Sequence, residues 1–330
     1  VLGLFIKNKN SIDPSLQPSV SVIIPAHNED SVIEKKLENL IQLNYRRELL
    51  EIIIASDNST DNTNSIVSAF IQKHPEFKIS LYKVMNRKGK TNAQNEAVEK
   101  ATGEIIVFSD ANAILDKDAV INLASSFTSD DIVYVAGRLK YVNSLENPTS
   151  SAESAYWNYD LFMRKAESDI HSITAGNGAI YAIRKKDYFN FDPIYCHDSV
   201  MPIHAALRNK KAVYNPMALA FEKAGETTED EFKRKVRMAR YILTSIFGNM
   251  SIYNPFKTGW FSYFYFSHRA LRYSLFILHF SAFMTNALLF SVNRFYALLF
   301  ALQFLFYLLA FLKYLFNSKN KIVFYPYYYT

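Results

Sequence analysis

Cysteine is almost missing from this chain: Cys196 is the only one in 330 residues. A single thiol excludes an intramolecular disulfide framework and any CxxC zinc or redox site. Glycine and proline are sparse, at nine and ten residues, and charged side chains make up 21%. That balance excludes collagen-like repeats and a disordered chain. Familiar catalytic signatures are missing too. Gly89-Lys90-Thr91 resembles the end of a P-loop, but the Gly required five residues earlier is Val84. Gly176-Asn177-Gly178 lacks the third Gly of a dinucleotide fingerprint. No GxSxG elbow and no HExxH pair occur. No acidic residue occurs after Gly248, where Phe and Tyr crowd.

The first 240 residues instead alternate short apolar runs with amphipathic ones. Strands are expected at Val20–Ile24, Glu51–Ala55, Ile79–Val84, Glu104–Ser109 and Ile132–Ala136. Helices are expected at 31–42, 62–73, 91–101 and 116–127, where apolar residues recur at helical spacing. Strands separated by helices of this length imply an α/β fold with a mainly parallel sheet and right-handed crossovers. Ligands of such sheets bind at the carboxyl ends of the strands. Polar clusters lie there: His27-Asn28-Glu29, Ser56-Asp57-Asn58-Ser59-Thr60-Asp61 and Ser109-Asp110-Ala111-Asn112. Beyond Arg138 come a polar helix (151–168), the run Thr174–Ile183, a helix 199–209 behind Cys196-His197-Asp198, and a basic helix 229–247.

The last 80 residues read as membrane-associated. Residues 249–268 are aromatic, which suits the headgroup level of a bilayer. Two uncharged windows, Tyr273–Asn293 and Phe295–Leu312, are each near the roughly 20 residues that span a bilayer. Arg269 and Arg272 before them, and Lys313, Lys319 and Lys321 after them, place both outer ends in the cytoplasm. The alternative is a buried helical hairpin. No cleavable signal peptide is visible, and residues 1–6 look like the tail of another spanning helix. The expected organisation is a linker (1–18), a catalytic domain (19–247), an interfacial segment (248–272), and two transmembrane helices with a tail (273–330). The net charge of +6 does not indicate nucleic-acid binding, because the basic residues gather near the apolar segment rather than among stacking aromatics.

Taken together, Pro25-Ala26-His27-Asn28-Glu29, Asp57 in its Ser/Asn/Thr-rich loop, Arg87-Lys88-Gly89-Lys90 and Asp110-Ala111-Asn112 closely resemble the family 2 glycosyltransferases in order and spacing. The resemblance runs from about Ser19 to Tyr241. It implies the GT-A nucleotide-sugar fold and, with the apolar tail, the membrane-embedded branch that includes cellulose, hyaluronan and poly-N-acetylglucosamine synthases. It implies a UDP-sugar donor, a polysaccharide or lipid-linked acceptor, contact with membrane lipids, and further export or assembly subunits. Export subunits are implied because two spanning helices are few for a polymer channel. The setting implied is the cytoplasmic membrane, with the catalytic domain facing the cytoplasm.

The resemblance also assigns roles. Pro25, His27, Glu29, Asp57, Lys88 and Lys90 would bind the donor, Asp57 by accepting from the uracil ring. For Asp57 and Glu29 the competing reading is helix N-capping, which fits Asp61 better. For Lys88 and Lys90 it is a solvated basic loop. Asp110 and Asn112 occupy the family's Asp-x-Asp positions, which hold Mg²⁺ or Mn²⁺ across the diphosphate; the second ligand here is a neutral amide, which leaves one charge fewer for the metal. Gly176, Asn177 and Gly178 stand where the family has a small-residue acceptor loop, and an ordinary tight turn is the alternative. Asp198 is the second residue of the family's acidic pair and the implied general base, with His197 in the first position; a plain helix N-cap is the alternative. Arg237 and Arg240 resemble a diphosphate clamp, and Tyr241 an aromatic platform for the acceptor. A basic helix facing lipid headgroups would read the same way.

Overall fold

A computed structural model of the chain describes residues 10–85, 88–142, 148–223, 236, 238, 239 and 242–316, with 148–157 as backbone only. Eight strands among these form one sheet in the order β3-β2-β1-β4-β7-β6-β8-β5. They are β1 (Val20–Ala26), β2 (Leu50–Ser56), β3 (Ile79–Lys83), β4 (Ile105–Ser109), β5 (Ile114–Leu115), β6 (Ile132–Tyr141), β7 (Ile180–Arg184) and β8 (Lys211–Glu222). β3, β2, β1 and β4 run parallel. β7 is antiparallel to both β4 and β6, and β8 runs parallel to β6.

The central strands are buried along their whole length because helices cover both faces of the sheet. Successive side chains point to opposite faces. Val22, Ile24, Ile52 and Ile54 therefore pack in one core cluster, and Ile23, Ile53 and Ala55 in the other. Burying each such Ile stabilises the fold by roughly 1.5–3 kcal/mol. The connecting helices are α1 (Ile33–Leu40), α2 (Thr63–Lys73), α3 (Lys90–Lys100), α4 (Ala119–Ala124), α5 (Pro148–Ile170) and α6 (His197–Leu207). The expected strands are present, as are the helices expected at 31–42, 62–73, 91–101, 116–127, 151–168 and 199–209, shifted by a few residues at their ends; the expected basic helix 229–247 lies largely outside the described residues. The sequence pattern missed β8, because Asn215 and Pro216 interrupt its apolar run.

The chain divides into two compact units, Val1–Arg269 and Ala270–Thr330. The segment expected to be a separate interfacial piece, 248–272, therefore lies largely within the first unit. Ile252 and Phe261 are fully buried there, and His268 and Arg269 are inside it. The reason is electrostatic. On one face of α5, Asp160, Arg164 and Glu167 are buried and need partners. His268 Nδ1 sits 2.7 Å from Glu167, His268 Nε2 is 3.4 Å from Asp160, and Arg269 Nη1 is 3.4 Å from Asp160.

In the second unit, Leu275–Leu288 and Arg294–Phe316 are helices that touch through Phe283 and Phe300, ring centroids 5.0 Å apart. The expected pair of spanning helices is corrected. Arg294–Phe316 has 23 residues, and its most apolar 18-residue stretch has a mean hydropathy of 2.2, enough to cross a bilayer. Leu275–Leu288 has 14 residues, about 21 Å of helix, short of a ~30 Å hydrocarbon core. Its apolar window is broken at Ser274 and turns before Asn293. Among the described residues one helix is long and apolar enough to span. Lys319 and Lys321 lie outside them.

Candidate active site

Three parallel strands deliver the polar clusters to one edge of the sheet. β1 ends at Ala26 beside Ser56 of β2. The pairing of Ser109 with Ile180 brings the loop ahead of β7 against the end of β4. His27, Glu29, Asp57, Asp110 and the 174–179 loop are therefore neighbours because of sheet register.

Gly178 is the centre of the arrangement. A Cβ placed on it would lie 3.1 Å from Lys90 Nζ, 3.6 Å from Asp110 Oδ2 and 3.9 Å from Asp198 Oδ2. Three charged side chains thus converge on a position where no side chain stands. Lys90 and Asp110 form an ion pair. Burial pushes the Asp198 carboxyl above the usual carboxylate range; Lys90 opposes that shift and Asp110 adds to it. Burial lowers the Lys90 ammonium, but Asp110 and Asp198 outweigh it, so Lys90 is raised overall and stays charged. A carboxylate raised by burial, next to a fixed cation and facing an open position, has the makings of a general base.

Asp57 is buried, and its carboxylate accepts from the backbone N–H of Lys88 (3.3 Å) and of Gly89 (3.0 Å). Gly89 has φ +91°, a conformation that favours glycine, and α3 begins right after it. Asp57 therefore fixes the turn that aims Lys90. Two lone-pair positions of the carboxylate remain for a ligand. His27 Nδ1 lies 2.8 Å from the Asp57 carbonyl. Glu29 is half-buried; burial, then Asp110 and Asp61, push its carboxyl up. Asp61 serves the turn, accepting from Thr63 N–H at 3.0 Å and Asp30 N–H at 3.1 Å, while the N-cap of α2 is Asn62. Pro25 is enclosed within β1, and Lys88 is exposed.

On the other side, Gly176 N–H donates to the Asp198 carbonyl at 2.7 Å, tying the small-residue loop to the start of α6. Gly176 has no room for a side chain: its Cβ would be 1.8 Å from the Tyr134 hydroxyl. One expectation needs correction here. Asn177 is buried with both ends of its amide in use, donating to the Gly137 carbonyl (2.7 Å) and accepting from Ile180 N–H (3.1 Å); it shapes the loop rather than facing an acceptor. His197 is likewise turned into the core, packed on Phe108, Tyr188 and Phe191. Burial, helped by Lys90, holds it down to about 3.

The residues fit a divalent ion of the kind the fold implies. Asp110 offers a carboxylate, and the Asn112 Nδ2 donates to Glu222 Oε1 at 2.8 Å, leaving its amide oxygen as the ligating end. Mg²⁺ and Mn²⁺ commonly take one or two protein oxygens and fill the rest from phosphates and water. Among the described residues no group of three or more acidic, His or Cys side chains forms a complete protein-only cage. Arg87, Arg237, Arg240 and Tyr241 lie outside the described residues. The sequence pattern overlooked Glu222, on the missed strand β8, and the buried residues beneath the site. The buried face of α5 did carry a signal: Asp160, Arg164 and Glu167 recur at helical spacing.

Comparison with known proteins agrees with this geometry. The family described as Glycosyl transferase family 2 matches residues 21–190, just over half of the chain. A probable glycosyltransferase of Bacillus subtilis, YdaM, is 27% identical over 308 residues, covering 84% of this chain and 67% of the relative. The poly-β-1,6-N-acetyl-D-glucosamine synthase of Staphylococcus aureus is 24% identical over 243 residues, 71% of this chain and 57% of the synthase. Among solved structures, the mannosyltransferase PcManGT of Pyrobaculum calidifontis, in complex with GDP-mannose and Mn²⁺, superposes with a TM-score of 0.65 at 22% identity, covering 89% of this chain and 86% of that one. The chain belongs to glycosyl transferase family 2 and has the GT-A fold. It is a glycosyltransferase that uses a nucleotide sugar.

Proposed function

We propose that the enzyme is membrane-bound and inverts the sugar it transfers, taking it from a UDP-sugar to a growing cell-surface polysaccharide or glycolipid. The observation that carries this reading is the convergence of Lys90, Asp110 and Asp198 on Gly178. Inversion needs a base on the acceptor side and positive charge on the diphosphate side of one open position. Asp198 takes the proton of the acceptor hydroxyl. Gly178 lets that acceptor approach the backbone closely, whereas Gly176 is small because Tyr134 packs against it. Lys90 and Lys88 bind the diphosphate, and Asp57, His27 and Glu29 line the nucleoside end.

Asp110 and Asn112 would hold Mg²⁺ or Mn²⁺, which when bound neutralises the leaving diphosphate. Arg237 and Arg240 are assigned to the same diphosphate and Tyr241 to the acceptor, on sequence grounds alone. The S. aureus relative is named for a polysaccharide product, which supports a polymer acceptor. The helix Arg294–Phe316 supports a membrane setting: it is apolar, and only 6% of its most apolar window is buried. A cytoplasmic face for the catalytic domain is assigned on the family resemblance alone, because basic residues flank the helix Arg294–Phe316 at both ends.

The test is a screen of the detergent-purified protein against UDP-sugars with Mn²⁺ or Mg²⁺, reading released UDP and product length. One UDP-sugar should release UDP well above its hydrolysis blank and yield a ladder of products. Turnover of GDP-sugars alone would overturn the donor assignment. One sugar per lipid product would overturn the polymer assignment.

A further inference from the structure

Lys36 is a lysine with no exposed surface at all. It sits on α1 at the third position after Ile33 and the fourth before Leu40, so helical spacing puts it on the buried face with Ile33, Leu37 and Leu40. An apolar residue would fill this place at less cost, because an ammonium loses its hydration on burial. Burial indeed pushes it down to about 7, against the pull of Asp110 and Glu222. The contacts that Lys36 makes in return are specific. Its Nζ donates to Ser109 Oγ at 2.8 Å and to the Ala113 carbonyl. Those two residues bracket the Asp110–Asn112 turn, which is itself closed by Ala113 N–H donating to the Asp110 carbonyl at 3.2 Å. Ser109 Oγ in turn donates to the Ala179 carbonyl at 2.8 Å, and Ala179 directly follows Gly178.

We propose that Lys36 is a positioning residue. It braces the Asp110–Asn112 turn from beneath and, through Ser109, holds that turn in register with the Gly178 loop, so that the diphosphate side and the acceptor side of the site move as one piece. This rests on the donor and acceptor assignments made above and extends them to a residue that touches neither ligand. The buried Ser109 hydroxyl adds a side-chain link between the two halves to the backbone pairing of β4 with β7.

The experiment combines amide hydrogen exchange with calorimetric titration of UDP in the presence of Mn²⁺, on the full-length protein. Lys36→Met keeps the length of the side chain and removes both donors. Ser109→Ala removes the link to Ala179 and is the milder variant should Lys36→Met fail to fold. Leu37→Ala, on the same buried face, is the control for general loosening of α1. Lys36→Met and Ser109→Ala should speed exchange about tenfold or more in peptides covering both 110–113 and 178–180, beyond any change in Leu37→Ala. Lys36→Met should also weaken UDP binding about ten- to a hundredfold, the usual effect of losing hydrogen bonds to a charged group. Exchange at both segments equal to wild type, or shifted only as in Leu37→Ala, would overturn the proposal. If the wild-type protein ignores UDP with Mn²⁺, the donor assignment falls, while the exchange measurement still decides the role of Lys36.

Discussion

Adding one methyl group at Gly178 should separate catalysis from stability. The Cβ of Gly178→Ala would stand 3.1 Å from Lys90 Nζ, 3.6 Å from Asp110 Oδ2 and 3.9 Å from Asp198 Oδ2. The only tight contact is with the far end of a flexible lysine, which can swing aside because its side chain is 46% exposed. Folding should therefore change little, within about 1 kcal/mol, as for substitutions that neither overpack nor strand a buried group. The methyl group nevertheless occupies the position on which the base, the cation and the candidate metal ligand converge. A displacement of about 1 Å at a reacting centre can cost about a hundredfold in rate, and a loss of that size is expected. Gly176→Ala is the contrast. Its Cβ would be 1.8 Å from the Tyr134 hydroxyl, and Tyr134 is fully buried and stacked on Tyr181, so neither side can yield. Overpacking there should cost about 1–3 kcal/mol, a fall of several degrees in melting temperature. The assay is UDP release with the donor found in the screen, alongside a thermal scan of both variants. A Gly178→Ala enzyme that is folded and fully active would refute the placement of the reacting atoms beside this loop.

Four further outcomes follow from the same geometry. Asp198→Asn should retain UDP binding and lose transfer by about 10²–10⁴-fold, the usual worth of a general base. In the wild type, transfer should fail as pH falls through the raised Asp198 value, above the ordinary 3.8; a pH–rate profile with its acid limb below 3.8 would contradict the base assignment. Asp110→Ala should abolish the Mn²⁺ dependence of UDP binding, and Asn112→Asp should tighten it by restoring a charged ligand, both read by titration with and without chelator. Glu51 is raised by burial, but bonds from Lys78, Ser21 and Thr102 overcome this and lower it to about 2. Its depressed value contributes about 3 kcal/mol that is present above about 4.5 and lost between there and about 2, so Glu51→Gln should flatten the melting temperature against pH across that window. A chain cut after Gly248 strips Asp160 and Glu167 of Arg269 and His268, a loss of about 3–5 kcal/mol for a broken buried pair. A cut after Arg269 should therefore melt well above one after Gly248, and equal melting would count against the clasp.

The strand ends were legible in the sequence because each signal is local. A β-branched run such as Val20–Ile24 followed by His27-Asn28-Glu29 carries its own meaning, and Asp198 falls in the first turn of an apolar helix. The meeting of Asp198 with Lys90 was not legible. It depends on the antiparallel pairing of β7 with β4, a register that no single segment encodes. Asn177 looked like a ligand because a polar residue between two glycines reads as an open loop; its inward turn depends on the Gly137 carbonyl, which sits on another strand. Lys36 was hidden behind its neighbours, since Glu34, Lys35 and Glu38 make the helix look solvated, although its spacing from Ile33 and Leu40 marks the buried face. The apolar window from Tyr273 was long enough by composition, but composition does not show where a helix breaks.

On the proposed donor assignment, Asp57 joins the nucleoside end of the site to the phosphate end through a single carboxylate. Its oxygens already carry the turn at Lys88 and Gly89 that starts the helix bearing Lys90. In genetic terms the position is pleiotropic. If the donor assignment holds, Asp57→Ala should disturb base recognition and the aim of Lys90 together, with an effect far from additive with that of Lys90→Ala. A relative that recognises a different base at this position therefore has to find another anchor for the turn as well, so donor specificity and phosphate grip should drift together rather than separately.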